Sequence, residues 1–133
     1  MSQNNIAAAL ATHLTDSVGE YQIAYENADF TPPADEVYLA ESLNPTTVDA
    51  MSLSATGSQL LNGFYQVLCY APKGTTKGAA MAAAGAVEAA FQKGDRLTYN
   101  GTEVTILRCE RNPAFMSDDR FAVPLTIYYR AAM

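Results

Sequence analysis

Apolar residues recur at helical spacing near the start of the chain. Ile6, Leu10 and Leu14 stand four residues apart among alanines, and this spacing places them on one face of a helix. The pattern predicts an amphipathic helix over residues 3–17, with Ser2 as its N-cap and Gly19 as its end.

A second, alanine-rich helix is predicted from the segment GAAMAAAGAVEAAFQK, residues 78–93. Thr75 or Thr76 can cap its start, and Gly94 follows its end. Its predicted buried stripe consists of Ala80, Ala84, Val87 and Phe91. Because most of these side chains are single methyl groups, the helix can approach a sheet or a neighbouring subunit closely, and packing on the sheet is the preferred interpretation.

Extended or alternating apolar segments predict the strands. They cover residues 21–30, 37–43, 63–71, 96–111 and 121–129. The Asn100-Gly101 dipeptide divides the fourth segment into a hairpin with a type I′ turn. Pro124 interrupts the last segment and predicts an edge position or a bulge, because proline cannot donate to a ladder.

The order of these elements favours one α+β domain over residues 1–133. We expect an antiparallel or mixed sheet of about four to five strands, with two helices packed on one face. Between the second and third strands, residues 44–61 are polar and weakly patterned. They predict a long irregular loop, and loops of this length inside a compact domain are commonly functional.

Charge is distributed unevenly along the chain. Residues 1–72 contain eight acids and no Lys or Arg, whereas residues 73–133 contain all eight basic residues and six acids. The two parts therefore carry −8 and +2, which give the net charge of −6. Either the folded subunit has an acidic side and a mildly basic side, or folding interleaves the two parts and removes the polarity.

The chain offers little for catalysis. Its single histidine, His13, lies within the first predicted helix without a partner motif, and Cys69 and Cys109 lack the spacing of a zinc site. Both thiols are predicted to be buried and reduced. The segment PKGTTKG, residues 72–78, follows a strand and precedes a helix but lacks the phosphate-loop pattern. A small cytosolic nucleotide-binding domain is therefore only a remote alternative, and no catalytic residue, cofactor or metal is predicted.

An acidic chain without a basic, aromatic stripe is not expected to bind nucleic acid directly. No segment has the length and apolar character of a membrane span or a secretory leader, so a soluble protein made in a cytosol is expected. These exclusions favour an interaction protein over an enzyme.

Five stretches in succession resemble the lambda-type tail terminator family of long-tailed phages. They are the N-terminal helix, IAYENADFTPP (23–33), VYLAESLNP (37–45), GFYQVLCYAPKGTTKG (63–78) with the alanine-rich helix after it, and FAVPLTIYYRA (121–131). The resemblance implies a structural virion protein that forms a hexameric ring, ends tail-tube polymerisation and offers a surface for head joining. It implies no catalytic residue.

The implied partners are other copies of the chain, the tail tube protein and a head-completion or neck protein. The implied location is the head-proximal end of the tail, after assembly in the host cytoplasm. A head-closure or neck protein is the alternative in the same setting. The loop would contact the tube or the ring lumen through Thr47, Asp49, Met51 and Leu53.

A ring requires one patch of each subunit to meet a different patch of the next. The split charge predicts that acids of one copy face arginines of its neighbour. The predicted acids are Glu26, Asp29, Asp35 and Glu36, and the predicted arginines are Arg96, Arg108, Arg111 and Arg120.

Overall fold

The computed structural model describes residues 2–19, 21–25, 36–50, 59–72, 77–99, 101–117 and 120–132. In chain order the elements are α1 (Ser2–Val18), β1 (Gln22–Ala24), β2 (Tyr38–Ala50), β3 (Gln59–Pro72), α2 (Lys77–Ala90), β4 (Arg96–Tyr99), β5 (Thr102–Arg111), β6 (Phe115–Ser117) and β7 (Arg120–Ala132). Neither helix is long and apolar enough to cross a membrane.

The strands form one mixed sheet in the order β1-β2-β3-β7-β5-β4, with β6 paired to β7. Only β1 and β2 are parallel; the other neighbouring strands are antiparallel. The α+β class is confirmed, but the predicted four to five strands were too few, because the sheet has seven. β1 lies within the predicted extended segment 21–30, whereas β6 has three residues and is too short to produce a visible alternation.

One face of the sheet is buried under both helices. Its apolar side chains alternate along the two central strands: Tyr65, Val67, Cys69 and Ala71 on β3, and Val123, Leu125, Ile127 and Tyr129 on β7. The helices contribute Ile6, Leu10, Leu14 and Val18 from α1, and Ala80, Ala83, Ala84, Val87 and Phe91 from the α2 segment. Both predicted helical stripes are therefore confirmed. The opposite face, which neither helix covers, is called the helix-free face below.

Two polar contacts fix α1 against its neighbours. His13 Nε2 lies 2.6 Å from the carbonyl oxygen of Ala90 and donates to this last-turn carbonyl of α2. The His13 ring also meets Phe91 edge-on, with 4.9 Å between centroids. Asn5 Nδ2 donates to Thr102 Oγ1 on β5 over 3.2 Å. The single histidine thus holds the two helices together.

The irregular loop predicted at 44–61 is largely strand. Residues 44–50 belong to β2 and residues 59–61 to β3, and they pair from Asn44 opposite Phe64 to Ala50 opposite Gln59. The sequence is weakly patterned, and pairing with β3, the next strand along the chain, holds it extended. A register shift between Pro45 and Thr47 accommodates the proline. Residues 51–58 of the predicted loop lie outside the described residues.

Pro124 lies in central strand β7 rather than at a sheet edge, opposite Leu68 of β3. In an antiparallel strand the N–H and C=O of one residue point to the same side. The Pro124 carbonyl accepts from the Asn112 N–H over 2.9 Å, on the side of β5 and β6. On that side β7 pairs with β5 as far as Arg111–Leu125 and with β6 from Phe115–Ala122 onward. Pro124 lies in the gap between these two ladders, so its missing N–H removes no hydrogen bond from either one.

Substitutions in α2 test the close approach of the helix to the sheet. Ala84 is fully buried, whereas Ala82 is exposed on the same helix. Ala84→Leu should lower the free energy of unfolding by about 1–3 kcal/mol, because the extra carbons have no space in the packed core. Ala82→Leu should change it by less than about 0.5 kcal/mol. Urea unfolding followed by circular dichroism measures both, and equal effects would contradict the packing.

Candidate assembly surfaces

Four of the chain's five arginines lie on the helix-free face. Their positions on the strands alternate with those of buried core residues. The register therefore places them on the face of the sheet that points away from the helices. These four are Arg96, Arg108, Arg120 and Arg130. The acids Glu103 and Glu110 occupy the same face by register. The helix-free face is therefore rich in arginine but not uniformly basic.

Arg108 belongs to an aromatic stack on this face. Its guanidinium carbon lies 3.8 Å from the ring centroid of Tyr128, and its Nε lies 2.7 Å from Glu110 Oε1. Tyr128 in turn neighbours Phe64, with centroids 6.2 Å apart. The hydrogen bond with Glu110 raises the pKa of Arg108, so this side chain stays charged. Its charge already has an intrachain partner.

Arg120 forms a similar arrangement at the other end of the face. Its guanidinium lies 4.9 Å from the centroid of Tyr38, which stacks on Tyr70 at 5.0 Å. Arg120 Nη1 also lies 3.4 Å from the carbonyl oxygen of Glu36. The Glu36 carboxylate accepts from Gln22 Nε2 over 3.3 Å. Glu36 and Arg120, which were predicted to meet across an interface, are thus neighbours within one chain. They meet through the backbone carbonyl of Glu36 and not through its carboxylate.

Arg111 faces the helices instead. Its Nη2 lies 2.5 Å from Glu88 Oε1, and its Nε lies 3.3 Å from the second oxygen, so the contact is bidentate. This pair joins β5 to α2. Of the four predicted interface arginines, Arg96 alone makes no ion pair or ring contact with another described residue.

The remaining predicted contact residues are placed only in part. Thr47 and Asp49 lie on β2, opposite Asn62 and Leu60 of β3. The acids Glu26, Asp29 and Asp35 and the loop residues Met51 and Leu53 lie outside the described residues. The proposed acid–arginine contacts between copies therefore stay a prediction.

Sequence reasoning missed an exposed apolar element around β6. Pro113, Ala114, Phe115 and Met116 are consecutive and all exposed, with Phe115 at 43% and Met116 at 55%. Runs of this kind on a surface usually mark a binding function. The signal was available as the apolar letters PAFM inside a turn-rich stretch. Residues 113–116 are called the apolar β6 segment below.

A pocket of about 450 Å³ opens between α1 and β2. It is lined by Ala7, Ala8, Ala11, Tyr25, Glu41, Leu43 and Tyr65. Its polar groups include the Glu41 carboxylate, which accepts from the Tyr65 hydroxyl over 3.2 Å. The pocket is called the α1–β2 pocket below, and its walls are mostly apolar.

The cysteines are poor nucleophiles. Burial raises the pKa of Cys69 to about 12 and that of Cys109 to about 11, and both are free thiols. Within the described ranges no three His, Cys, Asp or Glu side chains are placed to hold a metal ion. Most of the weak nucleotide-loop candidate, residues 73–76, lies outside the described residues.

Comparison with known proteins identifies a family and two similar structures. The sequence profile of a family described as phage tail terminator protein matches residues 5–129. One solved structure, whose name states no function, is 27% identical with a TM-score of 0.79, and the match covers 98% of this chain and 96% of that one. A chain from the virion of a native gene transfer agent particle is 16% identical with a TM-score of 0.62, covering 98% and 97%. No curated protein matches the sequence.

Charge-reversal variants distinguish an arginine that stabilises the subunit from one that binds a neighbouring copy. Arg111→Glu places two carboxylates together at Glu88 and should destabilise the subunit by up to about 1 kcal/mol. Arg96→Glu should leave unfolding within about 0.5 kcal/mol of the parent, because Arg96 is exposed on β4. If Arg96 faces acids of a neighbour, its reversal should still reduce assembly measured by light scattering. Unchanged assembly after reversal of all four predicted arginines would contradict the electrostatic interface.

Thiol reactivity tests the burial of the cysteines. A pKa of about 12 instead of 9 reduces the thiolate fraction of Cys69 at pH 8 by about a thousandfold. With 5,5′-dithiobis(2-nitrobenzoate), the native protein should therefore react slowly, with Cys109 ahead of Cys69, and urea should release both thiols at once. Fast reaction of Cys69 in the native protein would contradict the placement of β3 beneath the helices.

Proposed function

The chain belongs to the phage tail terminator family, a family of structural virion proteins and not of enzymes, and we propose that it caps the phage tail tube. In this role it ends tube polymerisation and provides the surface to which the head joins. It acts as a ring of six copies at the head-proximal end of the tail. Its partners are its own copies, the tube protein and a head-completion protein.

The observation that carries this proposal is the family match over residues 5–129, which spans nearly the whole chain. The chain from the virion of a gene transfer agent particle shares the fold. Aromatic and arginine side chains, which are enriched in protein interfaces, are gathered on the helix-free face. The exposed apolar β6 segment adds a further surface suited to contact with protein.

An assembly assay tests the role. Tube protein of the same phage is polymerised with and without this chain, and negative-stain images record tube lengths and ends. We expect the chain to shorten the tubes and to decorate one end only, because a terminator recognises the last ring. Assembled tails are then mixed with DNA-filled heads, and only capped tubes should join.

A neck protein would give the opposite result. It would bind filled heads in the absence of tubes and would leave tube length unchanged. That outcome would overturn the terminator role while leaving a structural role in the virion intact.

A further inference from the structure

We propose that a pocket between α1 and β4 binds the guanidinium group of an arginine side chain on another protein of the tail. The pocket has a volume of about 170 Å³. Its walls come from the second half of α1, between Ala9 and Asp16, and from the end of β4, between Leu97 and Tyr99. It lies on the other side of α1 from the α1–β2 pocket and is called the α1–β4 pocket below. The identity of the partner rests on the proposed function, whereas the binding is tested on the chain alone.

Asp16 gives the pocket a negative charge that has no counterion within the subunit. It is the one acid among the residues that line the pocket, and it is exposed. Its carboxylate makes no ion pair or hydrogen bond with any other residue of the described ranges. The basic residues nearest to β4 in the chain, Lys93 and Arg96, form no ion pair with it. A cation from outside can therefore pair with Asp16 without displacing an existing partner.

The ends of both helices add to this negative charge. Asp16 lies in the last turn of α1, which contains no basic residue, and the C-terminal end of a helix dipole is negative. The last turn of α2 also lacks a basic residue. That turn lies beside the pocket, because His13, which lines the pocket, binds the carbonyl oxygen of Ala90. A carboxylate at this end of a helix is unfavourable for the helix itself, and a bound cation would offset the charge.

His13 and the edge of β4 supply acceptors for a group that only donates. A carbonyl oxygen cannot donate, so Nε2 of His13 carries the proton of the neutral ring and Nδ1 keeps its lone pair. In the tight hairpin Tyr99 exchanges hydrogen bonds with Thr102, so the carbonyl of Thr98 points to the open edge of β4. A guanidinium group carries five N–H donors and no acceptor, which matches these two acceptors and the carboxylate.

Tyr99 favours a planar cation over an ammonium group. Its side chain is 38% exposed and lies on the same face of β4 as the buried Leu97, which is the face toward α1. No ring or cation stacks on it in the part of the chain that the structure describes. Guanidinium groups stack on aromatic rings and are more weakly hydrated than ammonium groups. Arg108 stacks on Tyr128 of this chain in that way.

The base of the pocket suits the stem of an arginine side chain. Ala9 and Leu97 are apolar and buried, and the methylene groups of arginine can lie along such a surface while the charged head stays near water. One exposed ion pair with one stacking contact binds weakly. An arginine that is attached to a protein gains from effective concentration, because each copy in the proposed ring presents the same pocket. We therefore expect the pocket to orient a partner that other contacts also hold.

An NMR titration of the isotope-labelled chain tests the pocket. The probes are N-acetyl-arginine amide and its neutral isostere, N-acetyl-citrulline amide. The arginine probe should shift the backbone amides of residues 12–16 and 97–99 saturably, with a Kd of about 10–100 mM. The citrulline probe should not shift them. Equal shifts from both probes, or arginine-specific shifts confined to other parts of the chain, would overturn the proposal.

Four variants assign the contacts within the pocket. Asp16→Asn should weaken binding of the arginine probe by about fivefold, whereas Glu103→Gln, which removes an exposed carboxylate on the helix-free face, should change it by less than about twofold. Tyr99→Leu should weaken it by about threefold and Tyr99→Phe should retain it. The Tm of Asp16→Asn should not fall, because the carboxylate is unfavourable at that helix end. Undiminished binding by both Asp16→Asn and Tyr99→Leu would refute the site.

The assembly assay tests whether the arginine belongs to a tail protein. Asp16→Asn should cap tubes or join heads about fivefold less efficiently than the parent and Glu103→Gln, and the arginine probe, but not the citrulline probe, should inhibit the same step of the parent. Parent-level capping and joining by Asp16→Asn would overturn the assignment of the partner. Failure of the parent itself to cap tubes would instead refute the terminator role, and the titration would still decide whether the pocket binds arginine.

Discussion

The register between β3 and β7 is the constraint on which the rest of the structure depends. The two strands pair without a shift from Leu60–Ala132 to Pro72–Arg120. Because side chains alternate between faces, a slip of one residue would turn the whole apolar set toward solvent. Burial of that set beneath α1 and α2 therefore fixes, at the same time, which residues form the helix-free face. The positions of Tyr38, Arg108 and Arg120 on that face are consequences of packing on the other.

The gap between β5 and β6 beside Pro124 explains why the apolar β6 segment is exposed. Proline removes one donor from β7, and at that point β5 ends and the chain crosses to β6. Asn112 bridges the gap through its N–H to Pro124 and its side chain to Thr126. The residues between the two strands are thus displaced from the ladder, which explains why Pro113 and Ala114 are exposed although they adjoin a central strand. The apolar β6 segment is a product of sheet geometry rather than a loose loop.

Elements with a strong local signal were predictable from the sequence. The α1 stripe spaced by four residues and the methyl-rich α2 stripe specified their buried faces without tertiary information. Gly101, whose φ is 80°, lies in the predicted tight turn between β4 and β5. The strand over 44–50 was not predictable, because Asn44 and Pro45 disfavour strands and are held there by pairing with β3. The exposed apolar β6 segment was harder still, since its exposure depends on where β5 ends and β6 begins along β7.

The arrangement of charges limits what ion pairs can contribute to a contact with another protein. Arg108 and Arg111 are engaged with Glu110 and Glu88 of their own chain, and Arg120 is stacked on Tyr38. An arginine that already has a partner gains little by exchanging it for another across an interface, because exposed ion pairs contribute only about 0–1 kcal/mol. Charge can select the facing surfaces and accelerate their encounter. The exposed apolar area at β6, which is fixed in place by pairing with β7, offers more free energy for contact with another protein than these ion pairs do.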